Sequence, residues 1–584
     1  MGRERRCGRS TPRRCARHDE TLPLAAPTLN GMYCPYAREP GRTPLISDDN
    51  LGSLAALLTV ARSRPQPAPD ALTGITPDAT WISLMTERLA DVLGALSAAT
   101  DLAAGVPMET SLRTCVLAAA LGAALGLGEA ARADTYYATL LRHLGCTAVS
   151  HEAASLADGD DHALQVRLDG FDRGQLDEPA RRQTAEALGG VCDQAVSLAS
   201  DLGMGSGVLR ALGQMHERFD GGGVLGLRGE ALDPVARTLH VAILVEIFHR
   251  QGGRDRALDE LRRRRGEQID PAICDLFLAD AGAFWPLVEA TSLWDAYLDA
   301  EPGEHRLVSE PRLDSVALAF ARYVDLKSPA LLGHSPAVAT LVVAAAAEDG
   351  LDPARVVDLR HAALLHDLGL VSVPNGILEK PGPLTPAEWE RVRLHAYYTD
   401  RVLGRVPALA WVARVAGFHH ERCDESGYPR GVAPAVTDRA SRLLACADSY
   451  QALTEARPYR AAFAPSAAAA ILRTEAGEGR LCPRAVDSVL AAAGQRAPAS
   501  APPPAEPRLP AGLTPREAEV LVHVARGLTS KEVATVLSIS TRTVQHHLEH
   551  VYAKVGVSTR VAAALFAVRH DLLTMGPSGA GFRP

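Results

Sequence analysis

From residue 81 to about residue 493 the chain repeats one pattern: alanine- and leucine-rich stretches with apolar residues three and four apart, cut by short Gly, Pro and Asp breaks. Apolar residues at that step line one face of an α-helix, whereas a half-buried strand needs strict alternation, of which the region has almost none. The chain is thereby restricted to an all-α architecture. At 584 residues it exceeds what one core can serve and should divide into several domains. Its 61 Lys and Arg against 69 Asp and Glu leave a formal charge of -8, so any contact with DNA must be local. Cysteines such as Cys115, Cys146, Cys192, Cys274 and Cys446 lie in apolar-looking stretches without CxxC pairs, the usage of reduced thiols and a cytoplasmic location. The most lipid-like run, residues 116 to 128, is shorter than the ~18 apolar residues a spanning helix needs, and no membrane segment is expected.

Breaks in the pattern mark the domains. Residues 1–75 are rich in Arg, Pro and Gly without periodicity and read as an unstructured arm. Residues 494–512, "GQRAPASAPPPAEPRLPAG", read as a Pro-rich linker between the helical body and a small helical unit over 513–575, with a tail over 576–584. The body itself reads as two copies, 76–300 and 301–493. "MHERFDGGG" at 215–223 matches "HHERCDESG" at 419–427, and "YYATLLRHLG" at 136–145 matches "RHAALLHDLG" at 360–369. In that register Thr110, Arg142, His143, Met215 and, after a one-residue slip, Ile243 stand where the second copy has His334, His366, Asp367, His419 and Asp448. Chance likeness between two alanine-rich helical stretches is the competing explanation; several matches in one order favour duplication followed by loss of the polar set.

The second copy gathers His334, His366, Asp367, His395, His419, His420 and Asp448, all in or beside expected helices whose side chains can converge on one interior point. Imidazoles and carboxylates suit Zn, Fe, Mn and similar ions, and a carboxylate can bridge two of them. Two ions about 3.5–4 Å apart can neutralise the transition state of phosphodiester hydrolysis. On spacing alone a metal site and a set of ordinary core histidines stand level.

"GHSPAVA", "LLHDLG", "ILEKPGPLTPAEWERVRLH", "HHERCDESGYPRG" and "ACADSYQALTEARPYR" resemble, in order and spacing, the HD-GYP branch of the HD phosphohydrolases, over residues 322–493. The resemblance implies a helical metal-binding domain that hydrolyses a cyclic dinucleotide such as cyclic di-GMP, with His366 and Asp367 at the catalytic centre. It implies two divalent transition-metal ions (Fe, Mn or Zn), one on His334, His366, Asp367 and Asp448, the other on Asp367, His395, His419 and His420. Gly427, Tyr428 and Pro429 would shape the nucleotide side together with Arg457 and Arg460. The chain departs from the family at Leu370, where a lysine is usual; at Glu425, usually glycine; and at Gln451, where an aspartate is common. Ala330 falls where an additional glutamate ligand would stand, which argues for two metals rather than three. Weakened catalysis is the expectation.

Residues 513–573, which begin "LTPREAEVLVHVARGLTSKEVATVLSISTRTVQHHLEHVYAKVGVSTR", have helix-turn-helix spacing, with an N-cap at Thr514, a turn at Gly527, a short helix from Ser530 and a longer one from Thr541. Seven Lys or Arg against five Asp or Glu make the unit only mildly basic, so a docking module is the bland alternative. The stretch resembles the LuxR/NarL-type DNA-binding domain throughout, which implies four helices, the third in the major groove and the fourth supporting homodimers. Its expected contacts with double-stranded DNA are Ser530, Lys531, Ser540, Thr541, Arg542, Thr543, Gln545, His546, His547 and Lys554. The whole reads as a bacterial transcriptional regulator in which a metal-dependent phosphodiesterase domain controls DNA binding, a non-catalytic nucleotide or metal receptor being the alternative.

Overall fold

Each break in the apolar periodicity ends a helix in the structure, a computed structural model in which residues 87–176, 178–496, 509–570 and 572–573 are described. The arm over 1–75, most of the Pro-rich linker and the tail over 576–584 lie outside the described residues. The described chain up to Arg496 forms one unit and the rest a second, so the two halves of the helical body share a single unit.

The first half runs through α1 (Leu89–Ala103), α2 (Thr110–Ala124), α3 (Glu129–Leu140), α4 (Glu178–Asp201), α5 (Ser206–Gly213) and α6 (Pro234–Arg264, broken at Gly252 and Gly253). The second runs through α7 (Glu310–Asp325), α8 (His334–Asp349), α9 (Pro353–Leu365), α10 (Pro386–Leu403), α11 (Ala410–Gly417) and α12 (Arg439–Thr454). The sets agree in detail. α2 follows Glu109 at φ 77°, and α8 follows Gly333 at φ 81°. Asp101 accepts from the backbone N–H and hydroxyl of Ser111, as Asp325 does from Ser335. A Cβ on Gly145 would lie 2.3 Å from the carbonyl oxygen of Val191, and one on Gly369 only 2.1 Å from that of His395. Asp233 caps α6 and Asp438 caps α12. These pairs place Thr110, Arg142, His143 and Val191 where the second half has His334, His366, Asp367 and His395.

The opening helices of both halves reach across the boundary. Besides α2 and α3 of its own half, α1 packs on the turn 368–372 and on α10, and α7, besides α8 and α9 of its own half, packs on α4 and on the turn 146–149. Just ahead of α1 and α7, the two-residue strands β1 (Glu87–Arg88) and β2 (Leu307–Val308) pair antiparallel. One core runs through both halves, from Leu93, Tyr136 and Leu212 to Leu365, Leu370 and Leu444. A fully buried ion pair crosses between them, with Lys327 Nζ 2.9 Å from Asp161 Oδ2 and the backbone N–H of Asn375 donating to Asp161 Oδ1 at 2.9 Å.

By length and apolarity Pro329–Asp349 would suffice to cross a membrane, a run the sequence reading passed over for residues 116–128. It includes α8, whose inner face of Val338, Val342, Ala345 and Ala346 is buried and which packs on α9 and α12. Its apolarity serves this core.

In the second unit α13 (Pro515–Ala525), α14 (Ser530–Val536), α15 (Thr541–Val555) and α16 (Arg560–Arg569) follow the expected helix-turn-helix order. Thr514 and Thr529 open α13 and α14 with capping boxes closed by Glu517 and Glu532. Val544, Leu548 and Val551 are the buried face of α15.

Candidate metal centre and DNA-binding surface

The seven candidate ligands come from five places on the second half: His334 from the start of α8, His366 and Asp367 from the end of α9, His395 from α10, His419 and His420 from the turn after α11, and Asp448 from α12. They converge. His334 Nε2 lies 3.3 Å from Asp448 Oδ1 and 3.8 Å from Asp367 Oδ2, and His366 Nε2 lies 3.3 Å from Asp367 Oδ2. The other carboxylate oxygen, Asp367 Oδ1, lies 3.4 Å from His395 Nε2 and 3.6 Å from His419 Nε2. Asp367 therefore faces His334 and His366 with one oxygen and His395 and His419 with the other. Neighbouring donors around one ion at about 2.0–2.2 Å stand roughly 3–3.5 Å apart; three of these distances fall in that range and two, at 3.6 and 3.8 Å, lie just beyond it.

The tautomers are set for ligation. Nδ1 of His366, His395 and His419 donates to the carbonyls of Ala363, Val392 and Ala416 at 2.8, 2.5 and 2.6 Å, which turns each Nε2 inward; burial opposes charge on His366, but Asp367 and Asp448 outweigh it and raise that imidazole well above its usual range. Nε2 of His366 is buried without a hydrogen-bond partner, and those of His395 and His419 are 3.1 Å apart. Two lone pairs at that distance repel unless a cation or proton lies between them. Burial outweighs Asp367 in pushing His395 down to about 4, so its nitrogen is free to ligate at neutral pH. Burial opposes charge on Asp367 and Asp448 too, yet the surrounding imidazoles outweigh it and hold both carboxyls well below their usual range. Two ionised carboxylates buried among inward-facing imidazoles fit a metal centre, in the groupings His334–His366–Asp448, His366–Asp367–His419 and His395–His419–His420.

Two further carboxylates escaped the sequence reading. Glu455 Oε2 lies 2.8 Å from His334 Nδ1 and orients that ring. It is the residue just past the end of α12, where the backbone has turned extended, so helical periodicity from Asp448 does not mark it. Glu421 accepts from the backbone N–H groups of Arg430 and Val432 at 2.9 and 3.0 Å and so holds the Gly427–Pro429 turn. Gly427 itself is dictated by space, since a Cβ there would lie 2.4 Å from the nitrogen of Arg422. Tyr428 rests on His420, ring centroids 4.5 Å apart, and so walls the centre. Glu425 has φ 65°, where the family's glycine would sit unstrained. Leu370 is buried in the shared core, 7% exposed. Arg457 is 2.9 Å from Glu455 and from the carbonyl of Ala330, while Arg460 donates to the carbonyls of Leu453, Glu455 and Ala461 at 3.1 Å each.

In the second unit Thr541, Arg542, Gln545 and His546 are exposed on α15, Thr543 and His547 half-buried, and Lys531 exposed on α14. Ser540 is the N-cap of α15, accepting from the N–H of Thr543 at 3.0 Å. Two expected contacts are engaged within the unit: Lys554 Nζ with Glu517 Oε2 at 2.6 Å, and Ser530 Oγ with Arg560 at 3.3 Å.

The chain joins an HD-GYP-like domain to a LuxR-type DNA-binding domain. Residues 319–484 match the HD domain family, and residues 511–567 match the bacterial regulatory proteins of the luxR family. Among characterised proteins the chain is similar to 3'3'-cGAMP-specific phosphodiesterase 3 of Vibrio cholerae, 29% identical over 417 residues, covering 66% of this chain and 91% of the relative. It is 39% identical over 176 residues to 3'3'-cGAMP-specific phosphodiesterase 1 of the same organism (30% of this chain, 41% of that one). A cyclic di-GMP phosphodiesterase of Thermotoga maritima is 40% identical over 129 residues, 22% of this chain and 35% of the relative. The crystal structure of a cyclic GMP-AMP specific phosphodiesterase from V. cholerae superposes with a TM-score of 0.53 at 26% identity, over 70% of this chain and 98% of that one.

Proposed function

We propose that the chain is a bacterial transcriptional regulator whose second half hydrolyses a cyclic dinucleotide, cyclic di-GMP or 3'3'-cGAMP, at a two-metal centre, and whose LuxR-type unit binds double-stranded DNA as a homodimer in the cytoplasm. The observation that carries this reading is the complete donor set, with Asp367 turned to both groups of imidazoles. His334, His366, Asp367 and Asp448 would hold one ion, and Asp367, His395, His419 and His420 the other. Divalent Fe, Mn or Zn in those places would supply Lewis acidity toward the phosphodiester and lower the pKa of water. The chain's own residues do the rest: backbone carbonyls and Glu455 fix the imidazoles, and Tyr428 stacks against His420 at the rim.

The first half is read as a copy stripped of this set. Of the residues in the matching places only His143 and His216 could ligate, beside Thr110, Arg142, Val191, Met215 and Ile243. Its role is to scaffold the second half through α1 and the shared core. A second reading, a receptor that binds the dinucleotide without cleaving it, is favoured by Leu370, which puts an apolar group in the core where the family carries a cation.

The test is metal content and hydrolysis of both dinucleotides on one sample of full-length protein. About two ions per chain with turnover supports the enzyme, binding without turnover the receptor, and absence of stoichiometric metal after loading with Fe, Mn or Zn defeats the site assignment. Asp367→Ala should empty the whole chain of metal, and any stoichiometric residue would place metal in the first half.

A further inference from the structure

A phosphodiester extends beyond the ions that would hold it and can take a protein cation as well, but the arginines named for that task are occupied. Arg460 spends its guanidinium on carbonyls at the end of α12, and Arg457 is bound to Glu455 and to the carbonyl of Ala330. Leu370 carries no charge and is buried. Arg430 is paired with Asp400.

Arg393 is placed differently. It precedes His395 by two residues on α10 and is exposed. Its guanidinium carbon lies 5.8 Å from the ring centroid of Tyr428 and 5.9 Å from that of Trp389, which stands one turn earlier on the same helix. The Tyr428 ring in turn stacks on His420 and meets His395 edge to face, centroids 6.2 Å apart. Among the described residues no carboxylate or carbonyl takes the N–H groups of Arg393. Attraction to two ring faces can hold a guanidinium in place without using its donor edge. That edge is a planar fork matched to the two non-bridging oxygens of a phosphodiester.

We propose that Arg393 grips the phosphodiester of the cyclic dinucleotide at this centre, supplying from α10 the cation that position 370 lacks, with Trp389 and Tyr428 as the residues that position it. The proposal rests on the reading of the second half as a cyclic dinucleotide site. It predicts that this centre owes its substrate affinity to α10 and the tyrosine turn, and not to the segment that holds Arg457 and Arg460.

The experiment uses full-length, metal-loaded protein with cyclic di-GMP and 3'3'-cGAMP, reading KM and kcat where turnover occurs, Kd by calorimetry in either case, and metal content throughout. Arg393→Ala should raise KM or Kd by about tenfold or more while metal content stays at the wild-type value. Arg393→Lys should recover part of the loss. Trp389→Ala should lose affinity, and Trp389→Phe, which keeps a ring face, should not. Wild-type affinity in Arg393→Ala overturns the proposal and leaves the phosphodiesterase reading standing; so does loss of metal in that variant, which would make Arg393 part of the scaffold. A wild-type protein that binds neither dinucleotide overturns both.

Discussion

Glu455 shows how a single carboxylate outside the ligand set can govern the centre. It fixes the His334 ring from behind, and removing such a partner commonly costs 10–100-fold in metal affinity, so Glu455→Gln should weaken metal retention by about that factor in competition with a chelator. Gly369→Ala should do more, because its Cβ would fall 2.1 Å from the carbonyl oxygen of His395. That substitution must push α10 away and carry His395 out of the centre. Metal analysis and thermal melting of the variant check this, and a fully loaded protein of wild-type stability would contradict it. That seven imidazoles and carboxylates of the second half gather at one point was legible in the order and spacing of its motifs. Their supports were not. Which carbonyl receives an Nδ1–H, or whether Arg460 faces a phosphate or the end of the helix before it, depends on where each helix stops, and residue identity does not contain that.

At the scale of elements, helix starts followed from chemistry visible in the chain: Thr514, Thr529 and Asp438 cap the helices they precede. The likeness of the two halves was legible in their paired motifs. The reach of α1 and α7 across the halves was not, because a periodic pattern shows that a helix has an apolar face without showing what covers it. The buried pair Lys327–Asp161 also joins the halves and gives a prediction. Asp161→Ala strands a fully buried ammonium and should cost about 3–5 kcal/mol in urea unfolding, whereas Asp161→Leu combined with Lys327→Met should recover most of it. Equal stabilities for single and double variants would show that the pair does not bear on the fold.

For the whole molecule, a centre that controls transcription must change the DNA-binding unit's free energy. A ligand can do so only by its differential affinity for two states, typically about 1–3 kcal/mol. DNA binding of wild type and His366→Ala, each with and without cyclic dinucleotide at fixed salt, should therefore differ by about 5–150-fold in the wild type and not in the variant. Identical affinities in all four conditions would mean that the two units are joined without being coupled. Helix α1 carries a different consequence, for how the protein is made. On the ribosome it emerges early, yet two of its packing partners, the turn 368–372 and α10, are synthesised only after the whole first half and much of the second. Its apolar face must wait in the nascent chain, with sequence-distant contacts of the kind that slow folding and invite chaperones. A gene fragment encoding the first half alone would therefore leave α1 without the part of its packing that the second half supplies, and one encoding the second half alone would leave the turn 368–372 and α10 uncovered where α1 lies.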